Sequence, residues 1–171
     1  MGWRKAAPIF LSVFAVISYA YFSEIGNLTN LDDITLGKRN YQYQEFINEV
    51  AGDLNFKKKV KLYVGPYNSR SEEQTVAFAR HFTLTYFIFI DEGFLNELSE
   101  SEKRALVGHE LGHIKFPHND TIDQMGADRI ALEHTSPEAV KGFLVKLYKN
   151  GGNHNYLIRM GNIENLQKHQ N

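Results

Sequence analysis

The sequence of 171 residues contains no cysteine, and this absence removes several kinds of chemistry. Disulfide bonds, thiol nucleophiles and thiolate-bound metals are all excluded, so a zinc site would have to use imidazole and carboxylate ligands. An excess of one charge is also lacking, because 19 Lys and Arg against 20 Asp and Glu give a net charge of -1. This balance gives no sign of a surface that binds nucleic acid.

Long hydrophobic runs are scarce, and the one that stands out is the uncharged stretch from Ala6 to Phe22. As a helix it would be about 25 Å long, slightly less than the roughly 30 Å of a hydrocarbon core. Residues 1–23 therefore read as a membrane anchor, or as a signal peptide cut after Ala20. Basic residues precede the run and acidic residues follow it, which predicts that residues 24–171 form a domain outside the cytoplasm.

After residue 37 the hydrophobic pattern predicts first a helix and then a small sheet. The spacing of Tyr43, Phe46, Ile47 and Val50 is typical of an amphipathic helix over residues 38–54. Three strands are predicted next, at KVKLYVG (59–65), TVAFAR (75–80) and LTYFIFI (84–90). The last of these is almost wholly apolar, which favours a central position in the sheet.

The second half of the chain is predicted to be helical. Ser99 and Glu102 form a capping box for a helix that Pro117 must end. Further helices are predicted to begin at Asn119 or Asp120, at Ser136-Pro137 and near Tyr156. The expected fold is α+β, with an N-terminal apolar helix and a short, mostly antiparallel sheet packed on several helices.

The stretch ALVGHELGHIKFPHNDTIDQMGADRIALEH (105–134) contains two histidines four positions apart. Such positions lie on one face of a helix, so His109 and His113 can reach a single metal ion. Glu110 lies about 100° further round, where its carboxylate could take a proton from metal-bound water. Gly108 and Gly112 indicate that something, such as the sheet, approaches this helix closely. The pattern predicts a zinc site; two surface histidines on a helix are the alternative.

The segment YFIFIDEGFLNELSESEKRALVGHELGHI (86–114) resembles the region leading into the zinc helix of HtpX-type and CAAX-prenyl-protease-type metallopeptidases. GADRIALEHTSPEAVKGFLVKLYK (126–149) resembles their second box, Glu-x-x-Ala-Asp-x-x-Ala, with the helix after it. VAFAR (76–80) resembles the edge strand along which members hold an extended substrate. The resemblance runs from about Lys57 to Ile163. It implies a small zincin-like metallopeptidase domain with Zn²⁺ as its cofactor.

The sequence departs from this family at the third zinc ligand. In the family the first Glu of the second box binds the metal, whereas the register set by Ala127 places Gln124 there. The Asp four residues further on, which in the family steadies a zinc-bound histidine, corresponds to Asp128. Gln124, through its amide oxygen, and Asp128, by direct binding, are the main candidates for the missing ligand. Other candidates are Asp120, Asp123 and His118.

The stretch NHNYLIRMGNI (153–163) falls where the family carries a His-Pro and then an Arg near the active site. The resemblance implies that His154 and Arg159 stabilise a developing oxyanion, or that His154 caps the zinc. No Pro follows His154, and the spacing to the Arg is one residue shorter than in the family. A polar loop followed by a surface arginine is the alternative interpretation.

Together these patterns predict an exported or membrane-anchored zinc metallopeptidase in which Glu110 is the general base. Its expected partners are a peptide or unfolded-protein substrate and, if the N-terminal segment stays uncleaved, the membrane. A rival hypothesis is a peptide-binding or chaperone-like module of the same fold that has lost turnover. Gln124 favours the rival hypothesis, whereas the retention of Glu110 favours the enzyme, because a pure binding module has no use for a base.

Overall fold

The computed structural model describes residues 38–66, 76–82, 84–117, 121–151 and 155–168. They belong to one compact unit spanning residues 33–171. The predicted signal or anchor at residues 1–23, with its apolar helix, lies outside the described residues. Within those residues no helix is long and apolar enough to cross a membrane.

The described chain forms a four-stranded mixed sheet and six helices, which confirms the α+β prediction. In chain order the elements are β1 (Lys38–Asn40), α1 (Gln44–Asp53), β2 (Lys59–Gly65), β3 (Ala77–His81), β4 (Thr85–Asp91), α2 (Glu92–Glu97), α3 (Glu100–Lys115), α4 (Thr121–His134), α5 (Pro137–Lys149) and α6 (Asn155–Lys168).

The strands lie in the order β1-β2-β4-β3. β4 therefore occupies an interior position, as its apolar sequence predicts, and Phe87 to Ile90 are all buried. The two outer pairings are antiparallel, but the central pairing of β2 with β4 is parallel. The expectation of a mostly antiparallel sheet thus holds for two of the three pairings.

The predicted helix over residues 38–54 begins too early. Residues 38–40 form β1, in which Arg39 pairs with Tyr63 of β2, and the helix begins only at Gln44. The apolar spacing that suggests a helix starts at Tyr43, so the three residues of β1 carry no periodic signal of their own. Their strand conformation follows from pairing with a distant segment, which a local pattern does not contain.

Helix α3 begins and ends as the sequence predicts. The Ser99 hydroxyl accepts a hydrogen bond from the backbone N–H of Glu102, and the Glu102 carboxylate accepts one from the backbone N–H of Ser99 at 2.6 Å. This reciprocal capping box fixes the first turn. The helix ends at Lys115, two residues before Pro117. Local rules therefore set the start and the end of the helix that carries the histidine motif.

Helix α3 is central to the core, and α4 lies almost against its backbone. A Cβ added to Gly112 would lie 2.5 Å from the Cα of Ala127, and one added to Gly108 would lie 3.2 Å from the Cα of Ala131. The two glycines thus allow a close crossing of antiparallel helices. The sequence predicts a close approach here, but the neighbour is α4 rather than the sheet.

Gly112→Ala is expected to lower the free energy of unfolding by roughly 1–3 kcal/mol, since the methyl group meets backbone atoms that cannot rotate away. Gly161→Ala is the matched control, because a Cβ there meets nothing within 4 Å. The control should gain up to about 1 kcal/mol from helix propensity. Denaturant unfolding of both variants measures the difference. A Gly112→Ala variant as stable as the control would contradict the close crossing.

Candidate active site

His109 and His113 project from the same face of α3, as their spacing predicts. Their rings stand almost perpendicular to each other, at 87°, with centroids 4.6 Å apart. The two Nε2 atoms are the facing atoms, 3.1 Å apart. His109 is buried and His113 is partly exposed, so the pair lies where the interior of the domain opens to solvent.

The other nitrogen of each ring has an oxygen partner that fixes the tautomer. Nδ1 of His113 lies 3.1 Å from the carbonyl oxygen of Phe116, and Nδ1 of His109 lies 2.9 Å from Oδ1 of Asp128. A carbonyl and an ionised carboxylate can only accept, so both Nδ1 atoms donate. When both rings are neutral, each Nε2 atom therefore carries a lone pair, and the two lone pairs face each other.

Two facing lone pairs repel each other unless a cation lies between them. Two nitrogens bound to one zinc ion at about 2.0–2.1 Å with tetrahedral geometry are separated by roughly 3.4 Å. The observed Nε2–Nε2 distance of 3.1 Å is close to this value. The two histidines thus fit a zinc ion, with ring orientations already set by Asp128 and Phe116.

Two further oxygens near the motif have no hydrogen-bond partner. Oε2 of Glu110 and Oε1 of Gln124 are both buried and unpaired. Buried polar atoms are nearly always paired, so each of these oxygens calls for a partner such as a metal ion or a substrate group. Their residue types match the predicted roles, since a carboxylate oxygen can accept a proton and an amide oxygen can bind a metal.

The helix register places Gln124 near the His113 end of the motif. Gly108 lies against Ala131 and Gly112 against Ala127, so α4 runs antiparallel to α3. Gln124 is one turn before Ala127, which brings it level with the end of α3 that carries His113. Among the described residues, no group of three His, Asp or Glu side chains is arranged to hold a metal ion.

The carboxylate of Asp128 accepts hydrogen bonds from two side chains, Arg159 and His109. Nε of Arg159 donates to Oδ2 at 2.7 Å, and Nη2 donates to Oδ1 at 2.6 Å, while His109 donates to the same Oδ1. Arg159 and Asp128 are both buried, with relative exposures of 7% and 2%. This bidentate pair fixes the carboxylate on the side of His109 that faces away from His113.

Burial and charge shift three ionisable groups in this cluster. Burial lowers the pKa of His109 to about 4, although the neighbouring Asp128 carboxylate opposes the shift. Burial raises the pKa of Glu110 to about 7. Burial alone would also raise the pKa of Asp128, but the hydrogen bonds from Arg159 and His109 outweigh it and hold this pKa at about 2. His109 is therefore neutral, as a metal ligand must be.

The remaining predicted site residues are placed as follows. His154, His118 and Asp120 lie outside the described residues, and Asp123 lies on α4 without entering the contacts of the two histidines described above. Arg159 is a buried partner of Asp128, and the alternative of a surface arginine is wrong. The third metal ligand stays a prediction. Sequence reasoning missed the Asp128–Arg159 pair and the Phe116 carbonyl, and neither has a local sequence signal.

Comparison with known proteins then decides the family. The sequence model of peptidase family M48 matches residues 37–155, well over half of the chain. The chain belongs to peptidase family M48. This confirms the resemblance inferred from the two boxes.

The M48 chain is also similar to a protease HtpX homolog from Archaeoglobus fulgidus, with 30% identity over 111 residues. That alignment covers 65% of this chain but only 30% of the relative, so the chain spans about a third of the relative's length. No solved structure matches the chain.

Proposed function

We propose that this M48 domain is a zinc-dependent endopeptidase that cleaves peptides or unfolded proteins outside the cytoplasm. One observation carries the proposal. The lone pairs of His109 and His113 face each other at 3.1 Å, on the same helix as the unpaired carboxylate oxygen of Glu110. Membership in M48 supports peptidase activity. The two imidazole nitrogens, with oxygen atoms as the other donors, support zinc as the metal.

His109, His113 and Gln124 would hold the metal through two Nε2 atoms and one amide oxygen. All three donors are uncharged, so the site binds zinc less tightly than one with a carboxylate ligand. When bound, zinc polarises a peptide carbonyl and lowers the pKa of water. Gln124 is favoured over Asp128 as third ligand because both carboxylate oxygens of Asp128 already accept hydrogen bonds from Arg159.

Glu110 serves as the general base. Its Oε2 has no partner, so one lone pair is available to accept a proton from the attacking water. After the tetrahedral carbon forms, the same carboxyl group can pass that proton to the leaving amine. Glu110 follows His109 directly in α3, so the base is fixed to the same rigid helix as the two metal-binding histidines.

Asp128 and Arg159 act by positioning His109. Asp128 accepts the Nδ1 proton and thereby keeps Nε2 free to bind the metal, while Arg159 keeps the carboxylate ionised in a buried place. Because two of its guanidinium nitrogens already donate to Asp128, we assign Arg159 to this role rather than to oxyanion stabilisation. The oxyanion or gating role of His154 stays a prediction.

The edge strand β3 is the proposed place for the substrate backbone. It is the last strand in the order β1-β2-β4-β3, and it packs against α3, the helix of the motif. A peptide added to this edge would be held mainly by main-chain hydrogen bonds, which carry little sequence information. Digestion of an unfolded protein should therefore give cuts in many sequence contexts. Cleavage at one strict recognition sequence would contradict the proposal that the substrate backbone binds along β3.

Zinc at 100 times its dissociation constant is expected to raise the free energy of unfolding by about 2.7 kcal/mol, since only the folded chain holds the two histidines together. His109→Ala and His113→Ala should remove this gain, while His134→Ala, on α4 beside Asp53, should keep it. Unfolding of chelator-treated protein with and without added zinc measures the effect. A wild-type chain that zinc leaves unchanged would refute the metal site.

The third ligand is tested by three variants on α4. Gln124→Ala should weaken zinc binding by more than the 10- to 100-fold typical of losing an outer-shell partner. Gln124→Glu should tighten zinc binding, because the added charge attracts the metal. Glu133→Gln, at an exposed acid on the same helix, is the control and should bind like wild type. Competition with a chelating dye gives the three affinities. Equal zinc affinity of Gln124→Ala and wild type would show that Gln124 is not a ligand.

A location outside the cytoplasm rests on the charge asymmetry around residues 6–22. We therefore expect activity from a reporter that works only outside the cytoplasm when it is fused after Asn171. Activity of a cytoplasm-only reporter would reverse the proposed topology.

A second candidate function is a peptide-binding module without turnover. The specific observation in its favour is that an amide, Gln124, stands where the family keeps a carboxylate ligand. In this case wild type and Glu110→Gln would bind peptide equally well, and neither would cleave it.

A further inference from the structure

Phe116 follows the last residue of helix α3, and its main chain is not helical. Its backbone N–H donates to the carbonyl oxygen of Gly112 at 2.8 Å, but its φ of -118° and ψ of 82° lie outside the helical region. The residue before a proline is disfavoured in that region, so Pro117 accounts for the change. Helical carbonyls point along the axis toward the C-terminus, whereas the carbonyl oxygen of Phe116 lies 3.1 Å from Nδ1 of the preceding His113. The contact with His113 therefore depends on the non-helical main chain of Phe116.

The aromatic ring of Phe116 lies against the backbone of α4 at Gly126. The three atoms nearest to a Cβ added at Gly126 would all belong to this ring, Cδ2, Cγ and Cδ1, at 3.0 to 3.2 Å. These distances are shorter than ordinary van der Waals contact, so a methyl group fits there only if the ring moves. Phe116 is partly buried and packs against the hydrophobic core. The glycine at position 126 thus allows the ring to lie where it does.

The two histidines of the motif have acceptors of different kinds. His109 is buried and donates to the carboxylate of Asp128, whereas His113 is partly exposed and has a neutral main-chain carbonyl as its acceptor. Nδ1 must carry the proton if Nε2 is to bind a metal, and the acceptor at Nδ1 selects this tautomer. For His113 that acceptor moves whenever Phe116 moves. The orientation of His113 is therefore the more easily disturbed of the two.

We propose that Phe116 and Gly126 act together as a positioning pair for His113. The ring lies on the backbone of Gly126 and so fixes the carbonyl oxygen that accepts from Nδ1, which directs Nε2 of His113 toward His109. Helix α4 would then orient both histidines, one directly through Asp128 and the other through the ring of Phe116. The benefit to the protein rests on the zinc site of the proposed function, but the contacts themselves require no metal.

The alternative is that the ring of Phe116 only fills space between α3 and α4. In that case a change at Gly126 alters the stability of the fold and leaves His113 unchanged in the folded molecules. A positioning role requires a change at His113 whether or not stability changes. Helix propensity favours alanine at position 126 while overlap with the ring opposes it, so stability does not separate the two roles.

The tautomer of His113 in zinc-free protein is the first readout. Without metal, Nε2 of His109 competes with the Phe116 carbonyl for the proton of His113, so the tautomer balance reports how well the carbonyl holds that proton. Ring nitrogen NMR spectra with chelator, at alkaline pH where imidazole is neutral, should show His113 protonated on Nδ1. Gly126→Ala should shift His113 toward protonation on Nε2, while His109 keeps the tautomer that Asp128 selects.

Zinc affinity is the second readout. Gly126→Ala should lower it by about 10-fold, the lower end of the range for losing a group that orients a ligand. Phe116→Ala removes the ring itself and should have the same two effects, so it serves as the test if Gly126→Ala fails to fold. Gly126→Ala combined with Phe116→Leu approximately conserves the volume at the contact and should recover both the tautomer and the affinity.

Two control variants are matched to Gly126→Ala. Gly52→Ala makes the same exchange in α1, where an added Cβ meets nothing within 4 Å. Val60→Ala removes buried volume from β2, outside the two helices of the site, and should lower stability. Both controls should keep the wild-type tautomer of His113 and, under conditions in which they are folded, the wild-type zinc affinity.

Three results would overturn the positioning pair. The first is a His113 tautomer that responds to Gly126→Ala no more than to Gly52→Ala. The second is an equal tautomer shift in His109 and His113, and the third is an equal shift in Val60→Ala, since both would show a general loosening of the fold. A wild-type chain that binds no zinc would instead refute the proposed metal site, while the tautomer comparison would still decide whether Phe116 and Gly126 position His113.

Discussion

Glu110→Gln is expected to lower the peptidase rate by about 100- to 10,000-fold while leaving zinc binding unchanged. The amide has nearly the same shape as the carboxyl group but cannot take a proton, and loss of a general base has an effect of this size. Glu110 is 4% exposed and its Oε2 is unpaired, so no described side chain bonds to the oxygen that would be replaced. Cleavage of an unfolded protein and zinc affinity are measured on the same preparation.

Glu133→Gln is the matched control, because it makes the same exchange on α4 in an exposed side chain paired with Arg129. It should keep full activity. If wild type and Glu110→Gln are equally inactive while both bind peptide, the binding-module hypothesis is correct. If Gln124→Glu creates activity that wild type lacks, the chain has the fold of a peptidase but has lost its turnover.

Arg159→Met is expected to lower the free energy of unfolding by about 3–5 kcal/mol in zinc-free protein. It leaves the Asp128 carboxylate buried without its bidentate partner, and an uncompensated buried charge has a cost of this size. The side chain also fixes the carboxylate that orients His109, so zinc affinity should fall by about 10- to 100-fold. Denaturant unfolding with chelator present separates the stability effect from the metal effect.

Two companion variants sharpen this result. Arg129→Met removes an arginine next to Asp128 in the sequence, but that arginine forms an exposed pair with Glu133 and should change stability by about 0–1 kcal/mol at most. Asp128→Asn combined with Arg159→Met also removes the negative charge that Arg159→Met leaves unpaired, and it should recover part of the lost stability. A double variant less stable than Arg159→Met alone would contradict the assignment of the loss to an unpaired carboxylate.

Features set by short-range rules could be predicted from the sequence. The four-residue spacing of His109 and His113 fixes their common face on any helix, and Ser99 with Glu102 marks where that helix starts. The apolar run of β4 identifies an interior strand because both of its faces are covered. Each of these features depends on residues that are close together in the sequence, which explains why the predicted bounds and faces agree with the fold.

Features set by long-range contacts could not be predicted in the same way. Arg159 and Asp128 are 31 residues apart, and no periodicity brings an arginine on α6 to a carboxylate on α4. The three residues of β1 form a strand only because β2 lies beside them. Gly112 signalled a close approach, but a glycine does not say whether a helix or a strand approaches it.

The central claim is that His109, His113 and Gln124 hold one zinc ion beside Glu110. The most direct measurement is a crystal structure of the zinc-loaded chain with anomalous diffraction recorded on both sides of the zinc absorption edge. One zinc peak is expected, about 2.0–2.1 Å from both Nε2 atoms and at a similar distance from Oε1 of Gln124. A peak bound by Asp128 instead, or no peak between the two histidines, would contradict it.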